Sequence, residues 1–137
     1  TTAAYMQFAR KNDAWLLPYA FYSALRDRYE TPDFRKWGKR YARFSKKKLL
    51  NEYTENQSFA NEVDYYCYLQ FHLDRQLSNA VAYARNLGII VKGDIPIGIN
   101  RNGVEAWQEP HLFHFSQQAG APPDAFAVNG QNWGFPT

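Results

Sequence analysis

The sequence has a single cysteine in 137 residues, so no disulfide can form within the chain. It also lacks an apolar run of the roughly 20 residues that a membrane-spanning helix needs, and it has no glycine-rich phosphate loop. No leader of cationic, apolar and small residues opens the sequence at Thr1. We therefore expect a cytoplasmic protein with no membrane partner. Hydrophobic residues make up 45% of the chain and charged residues 21%, as is typical of a globular domain.

Cationic residues are concentrated in one block, although the net charge is only +3. The block runs from Arg26 to Lys48 and is interleaved with aromatic residues such as Phe34, Trp37 and Tyr41. Such a pattern is typical either of a solvated surface that packs its rings inward or of a nucleic-acid interface. The first interpretation is favoured because no nucleic-acid-binding motif accompanies the block, and we expect no nucleic-acid partner.

Helical periodicity accounts for most of the chain. Apolar spacing predicts a helix from about Asp13 to Tyr29, and Thr31-Pro32-Asp33 predicts the start of a short helix that reaches Trp37. Another helix is expected over about 46–52, and a short one over about 102–109. The longest begins at Thr54, with Gln57 completing a capping box, and continues for about 30 residues as one apolar stripe through Leu73, Leu77 and Val81 until Gly88. The predicted fold is mainly α.

After Gly88 the pattern changes to Ile89-Ile90-Val91, a β-branched run that predicts a buried parallel strand ending at Gly93-Asp94. The remainder is predicted to be loop, stiffened at Pro122-Pro123 and able to turn at Asn129-Gly130. One parallel strand needs neighbours that this sequence does not supply. Either the strand is an edge in a helical assembly or the chain is an internal piece of a larger protein, and we expect the second.

Four stretches support that expectation: "WLLPYAFYSAL" at 15–25, "FRKWGKRYA" at 34–42, "LGIIVKGDIPIGI" at 87–99 and "GAPPDAFAVNGQNWGFPT" at 120–137. In these the sequence resembles the 4-α-glucanotransferases of the amylomaltase or disproportionating-enzyme family, glycoside hydrolase family 77. The motifs "IGINRNGVEAW" and "NGQNWGFP" look more like its plant and Bacteroidetes branch. The sequence departs from the common family pattern at Ala125, where a tyrosine is usual, and at Arg101, where an acid is usual.

The resemblance implies a fold and an activity. Residues 1–88 would be a helical insertion and residues 89–137 one strand and substrate-binding loops of a (β/α)8 TIM barrel. The parent enzyme would transfer α-1,4-glucan segments between maltooligosaccharides by a retaining double displacement, without a cofactor or a metal. Its catalytic carboxylates would lie outside this chain, so we expect the chain alone to be inactive, to bind glucans weakly and to self-associate. The residues matched to glucan binding are Asp94, Asp124, Phe126, Gln131 and Trp133.

Other interpretations of the same residues remain open. Asp94 could simply cap the following turn, and the loop residues could be ordinary loop packing. His111 and His114 are a weak metal signal because no third ligand is near in the sequence. Cys67 is expected to be a buried, inert thiol. A standalone carbohydrate-binding module and a basic helical nucleic-acid-binding domain are the alternative functions.

Overall fold

A computed structural model describes residues 2–137, and most of its regular structure is helical, which confirms the mainly α prediction. The α-helices are α1 (Ala3–Lys11), α2 (Asp13–Arg28), α3 (Gly38–Tyr41), α4 (Lys46–Glu55), α5 (Gln57–Asn86) and α6 (Val104–Gln108). Two 3-10 helices cover Phe34–Lys36 and Pro110–Leu112, and the strands are β1 (Gly120–Ala121) and β2 (Gln131–Asn132).

The chain divides into two compact units. Unit 1 comprises the described part of Thr1–Thr31 together with Ser45–Asp94, and therefore holds α1, α2, α4 and α5. Unit 2 comprises Pro32–Phe44 and Ile95–Thr137, and holds α3, α6 and both strands.

The core of unit 1 forms where α2 packs on α5. Phe21 of α2 stacks on Phe59 of α5 with ring centroids 5.9 Å apart, and both side chains are buried. Burying such rings is among the largest contributions a side chain makes to folding. At the end of α2 the Arg28 guanidinium lies 4.9 Å from the centre of the Phe59 ring and forms an ion pair with Glu62, with Nε and Oε2 2.6 Å apart. Packing and a charged pair therefore hold the same two helices together.

Helix α5 has the predicted length of 30 residues, but its N-cap lies two positions later than expected. The N-cap is Asn56, whose side-chain oxygen accepts a hydrogen bond from the backbone N–H of Phe59 at 3.2 Å, so the predicted capping box at Thr54 was wrong. Thr54 lies inside α4, where its hydroxyl donates to the backbone carbonyl oxygens of Leu50 and Asn51. The helix ends as predicted, with Gly88 at a φ of 76° and the backbone N–H of Ile89 bonded to the carbonyl of Ala84.

The apolar stripe predicted along all of α5 is wrong in its second half. Burial is confined to residues between Phe59 and Phe71, and Leu77 is 67% exposed. Within the buried part lies Cys67, and burial first, with the nearby charge of Asp64 second, raises its pKa to about 12. The prediction of a buried thiol is confirmed, and the raised pKa disfavours the thiolate form that would act as a nucleophile.

Unit 2 is centred on two tryptophans. Trp37 and Trp107 meet edge to face with ring centroids 5.5 Å apart, and neither is more than 2% exposed. The indole N–H of Trp107 donates to the carbonyl oxygen of Tyr41 at 2.8 Å, so the polar atom of a buried ring is satisfied. The 3-10 helix before Trp37 is capped by the Asp33 side chain rather than by the predicted Thr31. Hydrogen bonding from Arg35 lowers the pKa of Asp33 and so favours the charged form of the cap.

The strand predicted at Ile89-Ile90-Val91 is wrong. These residues are neither strand nor helix, and Ile90 is 90% exposed. A parallel strand exists only when neighbours satisfy its backbone, and among residues 2–137 the only strand pairing joins β1 to β2. That antiparallel pair lies in the region predicted to be loop throughout.

No helix within residues 2–137 is both long and apolar enough to span a membrane.

The observed cap of α5 can be tested by mutation. Replacing Asn56 with Ala removes the acceptor for the Phe59 N–H, and we expect the free energy of unfolding to fall by about 1 kcal/mol in urea titrations followed by circular dichroism. The matched control is Asn79→Ala, an exposed position inside the same helix, which should stay within about 0.5 kcal/mol of wild type. Equal stability of the two variants would show that Asn56 is not the cap.

Candidate functional site

Four of the five sequence-predicted site residues lie in one feature of unit 2, residues 119–135, which we call the aromatic hairpin. Its short ladder pairs Gly120 with Asn132 and Ala121 with Gln131. Two further backbone bonds extend it, from Trp133 N to Ala119 O at 2.9 Å and from Ala119 N to Phe135 O at 3.0 Å. The two strands approach so closely that a Cβ on Gly120 would lie 2.0 Å from the Gln131 carbonyl oxygen, so only glycine fits there.

Asp124 organises the tip of the aromatic hairpin. Its Oδ1 accepts hydrogen bonds from the backbone N–H groups of Phe126 at 2.8 Å and Ala127 at 2.6 Å. The Asp124 N–H in turn donates to the Ala127 carbonyl at 3.2 Å. Such bonds from an aspartate to amides two and three residues later fix a turn without help from a sheet. Oδ2 accepts no hydrogen bond from the described residues and remains available to a ligand hydroxyl.

The tip presents Phe126 to solvent, with 99% of its surface exposed. Val128, two residues later, is also exposed. Exposed apolar side chains clustered on an ordered loop are typical of a contact surface, whereas scattered ones are not. The Asp124 turn therefore displays an aromatic ring and does not bury it.

Gln131 of β2 and Trp133, which directly follows β2, are in contact through their side chains. The indole Nε1 of Trp133 donates to Oε1 of Gln131 at 2.9 Å, so the amide N–H groups of Gln131 are not used in this bond and can donate to a ligand. The Trp133 ring stacks on Phe135 with centroids 5.9 Å apart and planes 30° apart, and the tryptophan remains 43% exposed. Phe135 itself fits against Gly98, where a Cβ would lie 2.0 Å from the phenylalanine ring. The result is a supported flat ring beside an amide donor.

Asp94, the fifth predicted site residue, belongs to the other unit. It is the last residue of unit 1, whereas the aromatic hairpin belongs to unit 2. Asp94 is exposed and lies outside any helix or strand. The structure thus unites Asp124, Phe126, Gln131 and Trp133 in one feature and places Asp94 in the other unit.

Sequence reasoning did not predict the roles of Phe135 and Arg101. Phe135 stacks on the Trp133 ring. The two closely spaced aromatic residues in "NWGF" were the sequence signal that could have indicated this contact. The Arg101 side chain donates to three backbone carbonyl oxygens: Gly134 at 3.0 Å, Phe115 at 2.7 Å and Gln117 at 2.8 Å. The only sequence signal for Arg101 was its departure from the family pattern, and that departure does not indicate which carbonyl oxygens the side chain binds.

The histidines of unit 2 are not placed as metal ligands. His111 Nδ1 lies 3.6 Å from Glu109 Oε2, and the backbone N–H of His114 bonds to the carbonyl of Thr137. Within residues 2–137 there is no group of three His, Cys, Asp or Glu side chains able to hold a metal ion.

The basic block does not form a continuous cationic helix face. It extends over several short elements and over both units. Many of its charges are paired with carboxylates: Arg28 with Glu62, Arg35 with Asp33 and Lys46 with Asp13. Paired charges release fewer counterions on binding nucleic acid, so this surface gives no support to a nucleic-acid function.

Unit 1 has a cavity of about 1040 Å³, lined by residues of α1, α2, α4 and α5. Tyr53 in its wall donates to Asp64 with 2.7 Å between the oxygens, and burial first and this carboxylate second raise the pKa of the tyrosine. Burial likewise raises the pKa of Tyr5 to about 12, so both phenols stay protonated at neutral pH. The cavity shares no residue with the aromatic hairpin and contains no predicted site residue.

Comparison with known proteins gives a consistent family. A family model described as 4-alpha-glucanotransferase matches residues 1–137. The chain is 47% identical over 136 residues to the 4-alpha-glucanotransferase DPE2 of Oryza sativa subsp. japonica, covering 99% of this chain and 14% of that protein. It is 32% identical over 123 residues to a 4-alpha-glucanotransferase of Chlamydia trachomatis, covering 89% of this chain and 22% of that protein.

The fold has a solved counterpart as well. The amylomaltase from Streptococcus agalactiae in complex with acarbose superposes with a TM-score of 0.81 at 25% identity, covering 97% of this chain and 28% of that one. The chain therefore spans between about a seventh and somewhat over a quarter of the length of these proteins.

The turn at Asp124 can be tested without a ligand. We expect Asp124→Ala to raise the hydrogen-exchange rates of the Phe126 and Ala127 amides by about tenfold or more, because both lose their acceptor. Asp124→Asn keeps an acceptor oxygen and should change them far less, and Asn129→Ala in the same loop serves as the control. Unchanged rates in Asp124→Ala, measured by NMR, would contradict the assigned turn.

Proposed function

The chain belongs to glycoside hydrolase family 77, the 4-alpha-glucanotransferases, and we propose that it supplies part of the glucan-binding surface of such an enzyme. The parent protein transfers α-1,4-glucan segments between maltooligosaccharides by a retaining double displacement. Residues 1–88 provide the helical insertion and residues 89–137 the substrate-binding loops of a (β/α)8 barrel. The names of the compared 4-alpha-glucanotransferases, and the acarbose bound to the compared amylomaltase, support a glucan substrate class.

One observation carries the proposal: a partly exposed tryptophan, stacked on Phe135, lies beside the Gln131 amide at the base of the aromatic hairpin. A glucose ring offers an apolar C–H face and a rim of hydroxyls. The indole plane matches the face, and the amide N–H groups can donate to the rim. Because Phe135 and Gln131 already hold the indole, little side-chain entropy remains to be lost when a sugar stacks on it.

The remaining proposed binding residues have complementary parts. Asp124 uses one carboxylate oxygen for its turn, and the other accepts from a sugar hydroxyl. Phe126 adds a second, almost fully exposed ring at the tip, which offers another apolar face to a glucan. Asp94, which the family resemblance matches to glucan binding, is a further proposed binding residue. None of these residues is proposed as nucleophile or acid/base.

The reaction itself needs two further carboxylates. In a retaining transfer one attacks the anomeric carbon and the other protonates the leaving oxygen, and the two groups lie about 5–5.5 Å apart. The covalent glycosyl-enzyme then passes its sugar to the hydroxyl of an acceptor glucan. We propose that both carboxylates come from parts of the parent enzyme outside residues 1–137.

The proposal predicts a measurable role for Trp133. In the full-length enzyme incubated with maltotriose, chromatography should show glucose and longer maltooligosaccharides. Trp133→Ala should raise KM about tenfold or more, since loss of a stacking face weakens substrate binding. Trp133→Phe keeps an aromatic face and should therefore give a KM between those of wild type and Trp133→Ala.

The matched control is Trp15→Ala in unit 1, because Trp15 is exposed to a similar degree but lies outside the aromatic hairpin. A KM that is unchanged in Trp133→Ala would refute the binding role. Full-length enzyme that forms no product from maltotriose would refute the activity.

The isolated chain gives a second prediction. It should neither hydrolyse maltotriose nor disproportionate it, since a lost catalytic carboxylate alone costs several powers of ten in rate. The measurement is the same chromatography on the repurified 137-residue chain. Transfer that persists through repurification and disappears in Asp94→Asn would show that Asp94 is catalytic.

A further inference from the structure

The guanidinium of Arg101 joins two segments that are distant from each other in sequence. Nη1 and Nη2 bind the carbonyls of Phe115 and Gln117 on the segment that leads into the aromatic hairpin, and Nε binds the carbonyl of Gly134 near the other end of the hairpin. Arg101 therefore crosses the open end of the hairpin. The ladder between the segments contains only two residue pairs, which is too few to be stable alone.

The chain presents Arg101 on a tight turn. The Asn100 carbonyl accepts the Gly103 N–H at 2.8 Å, and the Asn100 side chain accepts the Asn102 N–H, also at 2.8 Å. The Asn102 side chain is itself held by the guanidinium of Arg35 at 3.1 Å. The backbone that carries Arg101 is thus fixed on both sides of the residue.

Only arginine has the geometry for this set of partners. Its planar fork supplies several N–H donors in fixed directions, and the three carbonyls use three different nitrogens. Lysine keeps the charge but is a point donor on a flexible stem, so it cannot span both segments in the same way. An acid at this position would repel the carbonyls.

The held carbonyls are next to the proposed binding residues. Gly134 follows Trp133 directly, and its N–H bonds to the Asn132 side chain at 2.9 Å. On the other segment, Ala119 lies two residues after Gln117 and pairs with both Trp133 and Phe135. Holding these segments fixes where the indole and the Gln131 amide point.

We propose that Arg101 is a positioning residue for glucan binding: it ties the two ends of the aromatic hairpin together and so presents Trp133 and Gln131 to the substrate. This inference rests on the proposed function of the hairpin. Arg101 touches no substrate in this account and acts only through the backbone it binds. Its loss therefore raises KM more than it lowers kcat.

The test compares Arg101→Lys with wild type in the full-length enzyme. We expect KM for maltotriose to rise about tenfold with kcat changed less than about threefold, because a disordered binding loop weakens substrate binding before it affects the chemical step. Hydrogen-exchange mass spectrometry should show faster exchange confined to peptides that cover 115–137. The matched control is Arg28→Lys, which changes an arginine paired with Glu62 in unit 1 and should leave KM and the exchange of 115–137 as in wild type.

The outcomes separate this inference from the proposed function. Unchanged KM in Arg101→Lys overturns it, even if exchange is faster or kcat falls, because the residue would then be structural only. A raised KM with unchanged exchange over 115–137 overturns it too, since Arg101 would not be acting through the hairpin. Wild-type enzyme inactive on maltotriose would overturn the proposed function and the positioning role together, while the exchange data would still show whether Arg101 orders the hairpin.

Discussion

The aromatic hairpin depends on backbone hydrogen bonds made from outside its own ladder. Two residue pairs and an exposed tip bury too little surface to hold a loop in one conformation. The three carbonyls bound by Arg101 and the Asp124 turn compensate at opposite ends of the hairpin. With both ends fixed, the tryptophan and amide between them have defined directions, and a binding surface can exist on a segment almost without secondary structure.

The helices were predictable because their signals are local. Each helix is indicated by signals that lie within one or two turns of it. For α5 these are the apolar spacing and Gly88, which adopts a left-handed φ just after the helix. The errors arose where two local signals compete, as when Asn56 capped α5 in place of Thr54. The exposed second half of α5 shows a further limit, because apolar periodicity indicates a face but does not show that anything covers it.

The strand at Ile89-Ile90-Val91 failed for a different reason. Parallel pairing is non-local, and β-branched composition cannot supply the neighbouring strands that a parallel strand requires. The β1–β2 pair was missed because residues such as Gly120 and Gln131 have low strand propensity and pair only through close backbone approach. Motif resemblance selected Asp124, Phe126, Gln131 and Trp133, which the structure places in the aromatic hairpin, and their role in glucan binding stays a prediction. It could not reveal Arg101, whose partners are carbonyl oxygens that every residue possesses.

We propose that the aromatic hairpin is a prearranged surface for an α-1,4-glucan. The most direct measurement is a crystal structure of the full-length enzyme bound to maltoheptaose. We predict a glucose ring stacked on the Trp133 indole at about 4 Å, with a sugar hydroxyl accepting from the Gln131 amide and the hairpin backbone unmoved. A bound glucan that leaves Trp133 and Gln131 uncontacted, or a hairpin that refolds on binding, would contradict the account.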